Sequence, residues 1–188
     1  MEVRQKLYEV NIMENKKLVW GLNFLALLLV VPIGFLFAMI GVLLSRSTVA
    51  AGEFTLLSMA YLFVFYFALI IIHELIHGIF FKVFCPENPV KYGLKWKSGM
   101  AYATSPGSLY NRMQMLVISL APFVVISLAL TMLFALGLLS PIFYFLLATM
   151  HGASCAGDFY YAWLLLVKFR KEDICVEDTE TGLLIYQA

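Results

Sequence analysis

Four stretches of the chain are apolar for long enough to cross a bilayer as helices, and nearly all of the polarity lies between them. They cover residues 18–44, 54–81, 115–139 and 142–167. Each exceeds the ~20 residues that a helix rising about 1.5 Å per residue needs to traverse about 30 Å of hydrocarbon. Pro32 and Pro122 fall inside spans and predict kinks of a kind that membrane helices tolerate. Gly137 and Ser140-Pro141 leave room only for a tight turn between the last two spans. Serine at the N-cap with proline at the first helical position is a strong start signal, so these two spans should form an antiparallel hairpin.

Between the second and third spans the period changes. Val90, Tyr92, Leu94 and Trp96 alternate with Lys91, Gly93, Lys95 and Lys97, the two-residue repeat of a strand. Ser98-Gly99 offers a turn, and residues 100–104 can return as a second strand before Pro106-Gly107. The expected fold is therefore an all-α integral membrane protein with four transmembrane helices and a small β-hairpin-like loop between helices 2 and 3. Its parts are a cytoplasmic N-terminal segment (1–17), a single four-helix membrane domain holding the metal site (18–168) and a cytoplasmic acidic tail (169–188), of which residues 172–188 are expected to be a solvated extension.

Composition places this pattern in a membrane. Hydrophobic residues make up 62% of the chain and charged ones 13%, against about 45–50% and about 25% in soluble domains. One core of this size cannot hide the excess, so the surplus faces lipid. The polar, mixed-charge segment 1–17 and the length of the run behind it do not fit a cleavable signal peptide, and the first span is expected to remain as an anchor. A net charge of +1 gives no electrostatic reason to expect nucleic acid. Three cysteines without CxxC spacing make neither a disulfide framework nor a thiolate zinc site.

Orientation follows from the basic residues. With four crossings, the N-terminal segment, the 2–3 loop and the C-terminal tail share one side and hold every lysine and arginine except Arg46. The positive-inside rule then makes both termini cytoplasmic.

An ionised group in hydrocarbon costs about 2.5–3.5 kcal/mol on insertion scales, so the polar content of the spans is informative. They contain Glu74, Asp158 and all three histidines, His73, His77 and His151. His73-Glu74-Leu75-Ile76-His77 is an HExxH pattern. Positions i and i+4 of a helix lie on one face, so both imidazoles can bind one ion, whereas Glu74 points about 100° away from His73 and can serve as general base. Catalytic zinc usually takes three protein ligands and lowers the pKa of a bound water to about 7. Asp158 is the natural third ligand. It lies ten residues before Lys168, His73 nine before Lys82, so helix rise sets them at similar depths. His151, about 10 Å further along a straight helix, is expected to be a polar contact between helices, and Ser154 and Cys155 to be small residues that permit close packing.

With these residues in place, the sequence resembles site-2 protease type intramembrane metalloproteases. It is more closely similar to small bacterial four-span proteins described as putative zincin peptidases. The resemblance rests on His73–His77, the basic loop with strand character, Leu120-Ala121-Pro122 and Gly157-Asp158, and covers roughly residues 54–168. It implies Zn2+ held by His73, His77 and Asp158, Glu74 as catalytic base, and a bacterial cytoplasmic membrane. The site-2 protease pattern of an asparagine and paired prolines before the aspartate is absent from Met150–Asp158.

The expected activity is zinc-dependent endopeptidase cleavage of membrane-protein or peptide substrates near the cytoplasmic side of the bilayer. Because a helix buries its carbonyls, a substrate must be extended. Met100, Ala101, Tyr102, Ala103 and Thr104 are the candidate strand for pairing with it. A metal-ion transporter and a non-catalytic zinc-binding scaffold are the rival readings. A transporter should show polar residues leading to both faces, and spans one and three are almost devoid of them.

Overall fold

The computed structural model describes residues 4–12, 14–44, 55–95 and 100–188. Among these, three helices are long and apolar enough to cross a membrane: α1 (Lys16–Leu44), α2 (Leu56–Phe84) and α3 (Arg112–Ala135). No residue of the most apolar window of α2 is buried, as expected of a face that meets lipid. The caps are local and legible. The Asn15 side chain accepts from the Leu18 N–H at 3.1 Å at the head of α1. Asn111 and Gln114 exchange backbone-to-side-chain bonds of 2.9 Å in a reciprocal capping box at the head of α3. α3 ends as the sequence indicates: Gly137 adopts φ +74°, and Leu138 N–H bonds to the Leu133 carbonyl at 2.9 Å, a Schellman close.

The fourth apolar stretch is not one long helix. Ser140 caps α4 (Pro141–Ser154), which stops at Cys155; α5 (Ala156–Trp163) follows, and then a π-helical turn, Leu164–Lys168. At the break the Ser154 hydroxyl donates to the His151 carbonyl at 2.7 Å. Such back-bonding competes with the regular ladder, and an apolar composition says nothing about it.

The all-α expectation is also corrected. β2 (Lys91–Lys95) and β3 (Met100–Thr104) pair antiparallel with Lys91 opposite Thr104, so the expected hairpin is present. Arg46, Trp96, Lys97 and the Ser98-Gly99 turn lie outside the described residues. A second, four-stranded antiparallel sheet was not foreseen. It has the order β1-β6-β5-β4, from β1 (Lys6–Glu9), β4 (Tyr110–Asn111), β5 (Ile174–Thr179) and β6 (Gly182–Gln187). The acidic tail is thus not a solvated extension: Ile174, Val176, Leu183 and Ile185 are buried. Gly182, φ +142°, must be glycine, because a Cβ there would fall 2.1 Å from the Val10 carbonyl oxygen.

The chain forms two compact units. One comprises Met1–Leu22, Glu74–Pro122 and Gly157–Ala188; the other Asn23–His73 and Phe123–Ala156. In the first, a single hydrophobic cluster joins Phe81, Tyr110, Met115, Ile118 and Leu165 to the inward residues of β5 and β6. Arg112 ties it together, donating to the carbonyls of Leu165 (3.2 Å), Phe169 (2.8 Å) and Glu172. These are carbonyls at a helix end, which a cation suits. In the second, Tyr144 packs between Phe37 and Phe134 and bonds to the Thr131 hydroxyl at 3.1 Å.

Candidate metal centre

α2 is continuous through the HExxH motif, so His73 and His77 share one of its faces and Glu74 lies to one side. Each histidine is then fixed within its own unit.

His77 is 9% exposed. Its Nδ1 lies 2.9 Å from the Ile118 carbonyl oxygen. A carbonyl can only accept, so Nδ1 carries the proton and donates it. That carbonyl is available for a reason written in the sequence. Its helical donor would be the N–H of residue 122, and Pro122 has none. The proline within α3 therefore frees the acceptor that orients a histidine of the motif. His77 Nε2 is turned toward Asp158, 3.3 Å from Oδ1. Asp158 occupies the first turn of α5, where the exposed N–H groups of a helix start favour a carboxylate.

The His77–Asp158 pair fits zinc. Ligand atoms about 2.0–2.1 Å from a tetrahedral ion lie about 3.3 Å apart, which is the separation here. The donor types, imidazole and carboxylate, are those of catalytic sites, and a ligating histidine normally donates its other ring N–H to a carbonyl or carboxylate.

The backbone just past His77 is closely covered. A Cβ at Gly78 would stand 1.8 Å from the Tyr92 hydroxyl oxygen, so glycine lets β2 lay Tyr92 across α2. On the adjoining strand Tyr102 lies over Gly93. Of the candidate substrate strand, Ala101 and Tyr102 are half-buried, whereas Ala103 and Thr104 are buried. The Thr104 hydroxyl donates to the Asp178 carbonyl at 2.7 Å.

Asp178 is the site-proximal residue that sequence reasoning missed. It sits on β5, keeping some solvent access but deep within its unit. Desolvation raises its carboxyl from the usual range to about 7, opposed by hydrogen bonding from Thr104 and by the charge of His77; Glu74 and Asp158 add to the rise. A third acidic group therefore lies in the electrostatic field of Glu74, His77 and Asp158. Residues 172–188 treated as solvated left no way to place it there.

In the other unit, His73 Nδ1 lies 3.1 Å from His151 Nε2, with the rings edge to face. Cys155 Sγ is 3.9 Å from each of these nitrogens and donates to the His151 carbonyl at 3.3 Å. The polar contact expected of His151 is thus present, and its partner is a histidine of the motif. Counting along one straight helix could not locate it, because the chain between His151 and Asp158 is interrupted at Cys155.

A family model described as "Putative zincin peptidase" matches residues 66–172. The chain belongs to that family. The match takes in α2 from Tyr66, both strands of the hairpin, α3 and the whole of the interrupted fourth stretch, and the family's description points to a zinc metallopeptidase. No curated protein and no solved structure matches the chain.

Proposed function

We propose that the chain is an intramembrane zinc endopeptidase that cleaves membrane-protein substrates near the cytoplasmic side of a bacterial cytoplasmic membrane, with His73, His77 and Asp158 as metal ligands and Glu74 as catalytic base. The observation that carries this reading is the His77 Nε2 to Asp158 Oδ1 pair at 3.3 Å, with His73 one helical turn away on the same face of α2. Family membership supports the peptidase class. The three apolar helices support a membrane location. We take the α4–α5 stretch with its π turn as a fourth crossing, which sets both termini on the basic, cytoplasmic side.

Bound zinc would supply Lewis acidity toward a peptide carbonyl and acidify a water. The protein's own residues do the rest. His73, His77 (locked by Ile118) and Asp158 would hold the ion; Glu74 would accept a proton from water and return it to the leaving amine. The metal test is direct. In reconstituted membranes, stripping the chain of metal with a strong chelator should abolish cleavage, and one equivalent of zinc should restore it. Cleavage that persists in metal-free protein rules the reading out.

The half-buried part of β3, Ala101 and Tyr102, would hold the substrate as an added strand. Tyr102→Pro should then lower cleavage about tenfold, the equivalent of roughly one backbone hydrogen bond, while zinc content stays at the wild-type level. Full cleavage in this variant would remove β3 from the substrate path.

A further inference from the structure

His77 donates its Nδ1–H to a backbone carbonyl, which leaves Nε2 for a metal. His73 Nδ1 faces His151 Nε2. We propose that His151 is the positioning residue of the site: its Nε2 accepts the Nδ1–H of His73 and so holds His73 in the one tautomer whose Nε2 can bind zinc. The proposal rests on the assignment of His73 as a ligand.

Two neutral imidazoles 3.1 Å apart are at hydrogen-bond distance, and one of them must donate. Were His151 the donor, His73 would carry its own proton on Nε2 and could not ligate through that atom. With His73 donating, both histidines of the motif bind through the same atom and are braced through the same atom. His151 is 1% exposed, so no water competes freely for the bond, and the two rings meet edge to face.

The three donors His73, His151 and Cys155 also lie within 4.8 Å of one another, which raises the rival possibility of a separate metal site. Two features disfavour it. A cysteine ligand must be a thiolate, so an ion there would cost the hydrogen bond that the Cys155 thiol donates to the His151 carbonyl. An ion on His73 Nδ1 would also displace the brace that the motif requires.

The test uses the full chain in detergent, comparing wild type, His151→Leu, His151→Gln and Cys155→Ala. Ring-nitrogen NMR of His73 in metal-free protein reads the tautomer, and zinc competition against a chromophoric chelator reads affinity. In wild type and His151→Gln, whose amide oxygen can still accept, His73 should be the Nδ1–H form. In His151→Leu it should become a mixture, with zinc bound about 10–100-fold more weakly, the usual cost of losing an outer partner of a metal ligand. Cys155→Ala should leave both readings unchanged. An Nδ1–H tautomer kept in His151→Leu overturns the proposal, as does a glutamine variant no better than leucine. Zinc lost equally from His151→Gln and Cys155→Ala would also overturn it, in favour of a histidine–cysteine metal site. If wild type binds no zinc, the peptidase reading fails. The tautomer comparison still judges His151 by itself, so the two failures are distinct.

Discussion

Glu74→Gln should retain a full equivalent of zinc and lose about 10³–10⁴-fold in kcat, within the range by which a positioned general base accelerates reactions. The substitution is close to isosteric. Glutamine keeps the length and one acceptor oxygen of glutamate but cannot take up a proton at neutral pH. Glu74 follows His73 directly on α2 and so points about 100° round from it; the ligand face of the helix is untouched. The loss should fall on kcat and leave KM nearly constant, since the proton is moved only on the way to the transition state. At about 1.36 kcal/mol per decade, this asks about 4–5.5 kcal/mol of one carboxylate. New peptide ends counted by mass spectrometry in reconstituted membranes, beside zinc per chain, give both quantities. A variant that keeps zinc and cleaves at the wild-type rate would remove Glu74 from the chemistry. A transporter or a structural zinc protein has no proton to move there, so an unchanged Glu74→Gln phenotype is what those readings require.

The parts of this fold that were legible are those with a strong local period. The β2–β3 hairpin announced itself by alternation from Val90, and three long helices by apolar length, with ends shifted only by a few residues. The HExxH face was legible because helix geometry alone puts His73 and His77 together. The four-stranded sheet was obscured by charge. In β5, Ile174 and Val176 face inward while Cys175 and Glu177 face outward. Five acidic residues over 172–180 made the segment look like a solvated tail. The signal that could have found it was the pair of apolar alternations, Ile174/Val176 and Leu183/Ile185, flanking Glu180-Thr181-Gly182. No local pattern could reveal that β1 pairs with β6, since Lys6 meets Tyr186 across almost the whole chain. The role of Pro122 was half visible. A kink could be read from it, but the partner of the carbonyl it releases required coordinates, as did the contact between His73 and His151.

Asp158→Ala should strip the chain of zinc under conditions where wild type and Glu74→Gln keep it. Two effects act together. The variant loses a ligand oxygen, and it deprives His77 Nε2 of the carboxylate 3.3 Å away, so both halves of the pair are damaged by one truncation. Removing an outer-sphere partner typically weakens metal binding by about 10–100-fold; losing a ligand itself should exceed this, and zinc should be gone after dialysis against a moderate chelator. Stability is the control. Asp158 keeps some solvent contact, with 15% of its side chain exposed; without that carboxylate His77 can become neutral by releasing its Nε2 proton while its Nδ1–H stays on the Ile118 carbonyl, so no buried charge is left unpaired in the metal-free protein. The metal-free variant should therefore melt within a few degrees of metal-free wild type, whereas wild type alone should gain thermal stability on zinc addition, because only it has a site for the ion to stabilise. Asp158→Asn separates charge from shape: it keeps an acceptor oxygen in place and should bind zinc more weakly than wild type but more tightly than alanine. If Asp158→Ala holds zinc with wild-type affinity, the third ligand lies elsewhere, and the His77–Asp158 pair is a structural ion pair at the start of α5.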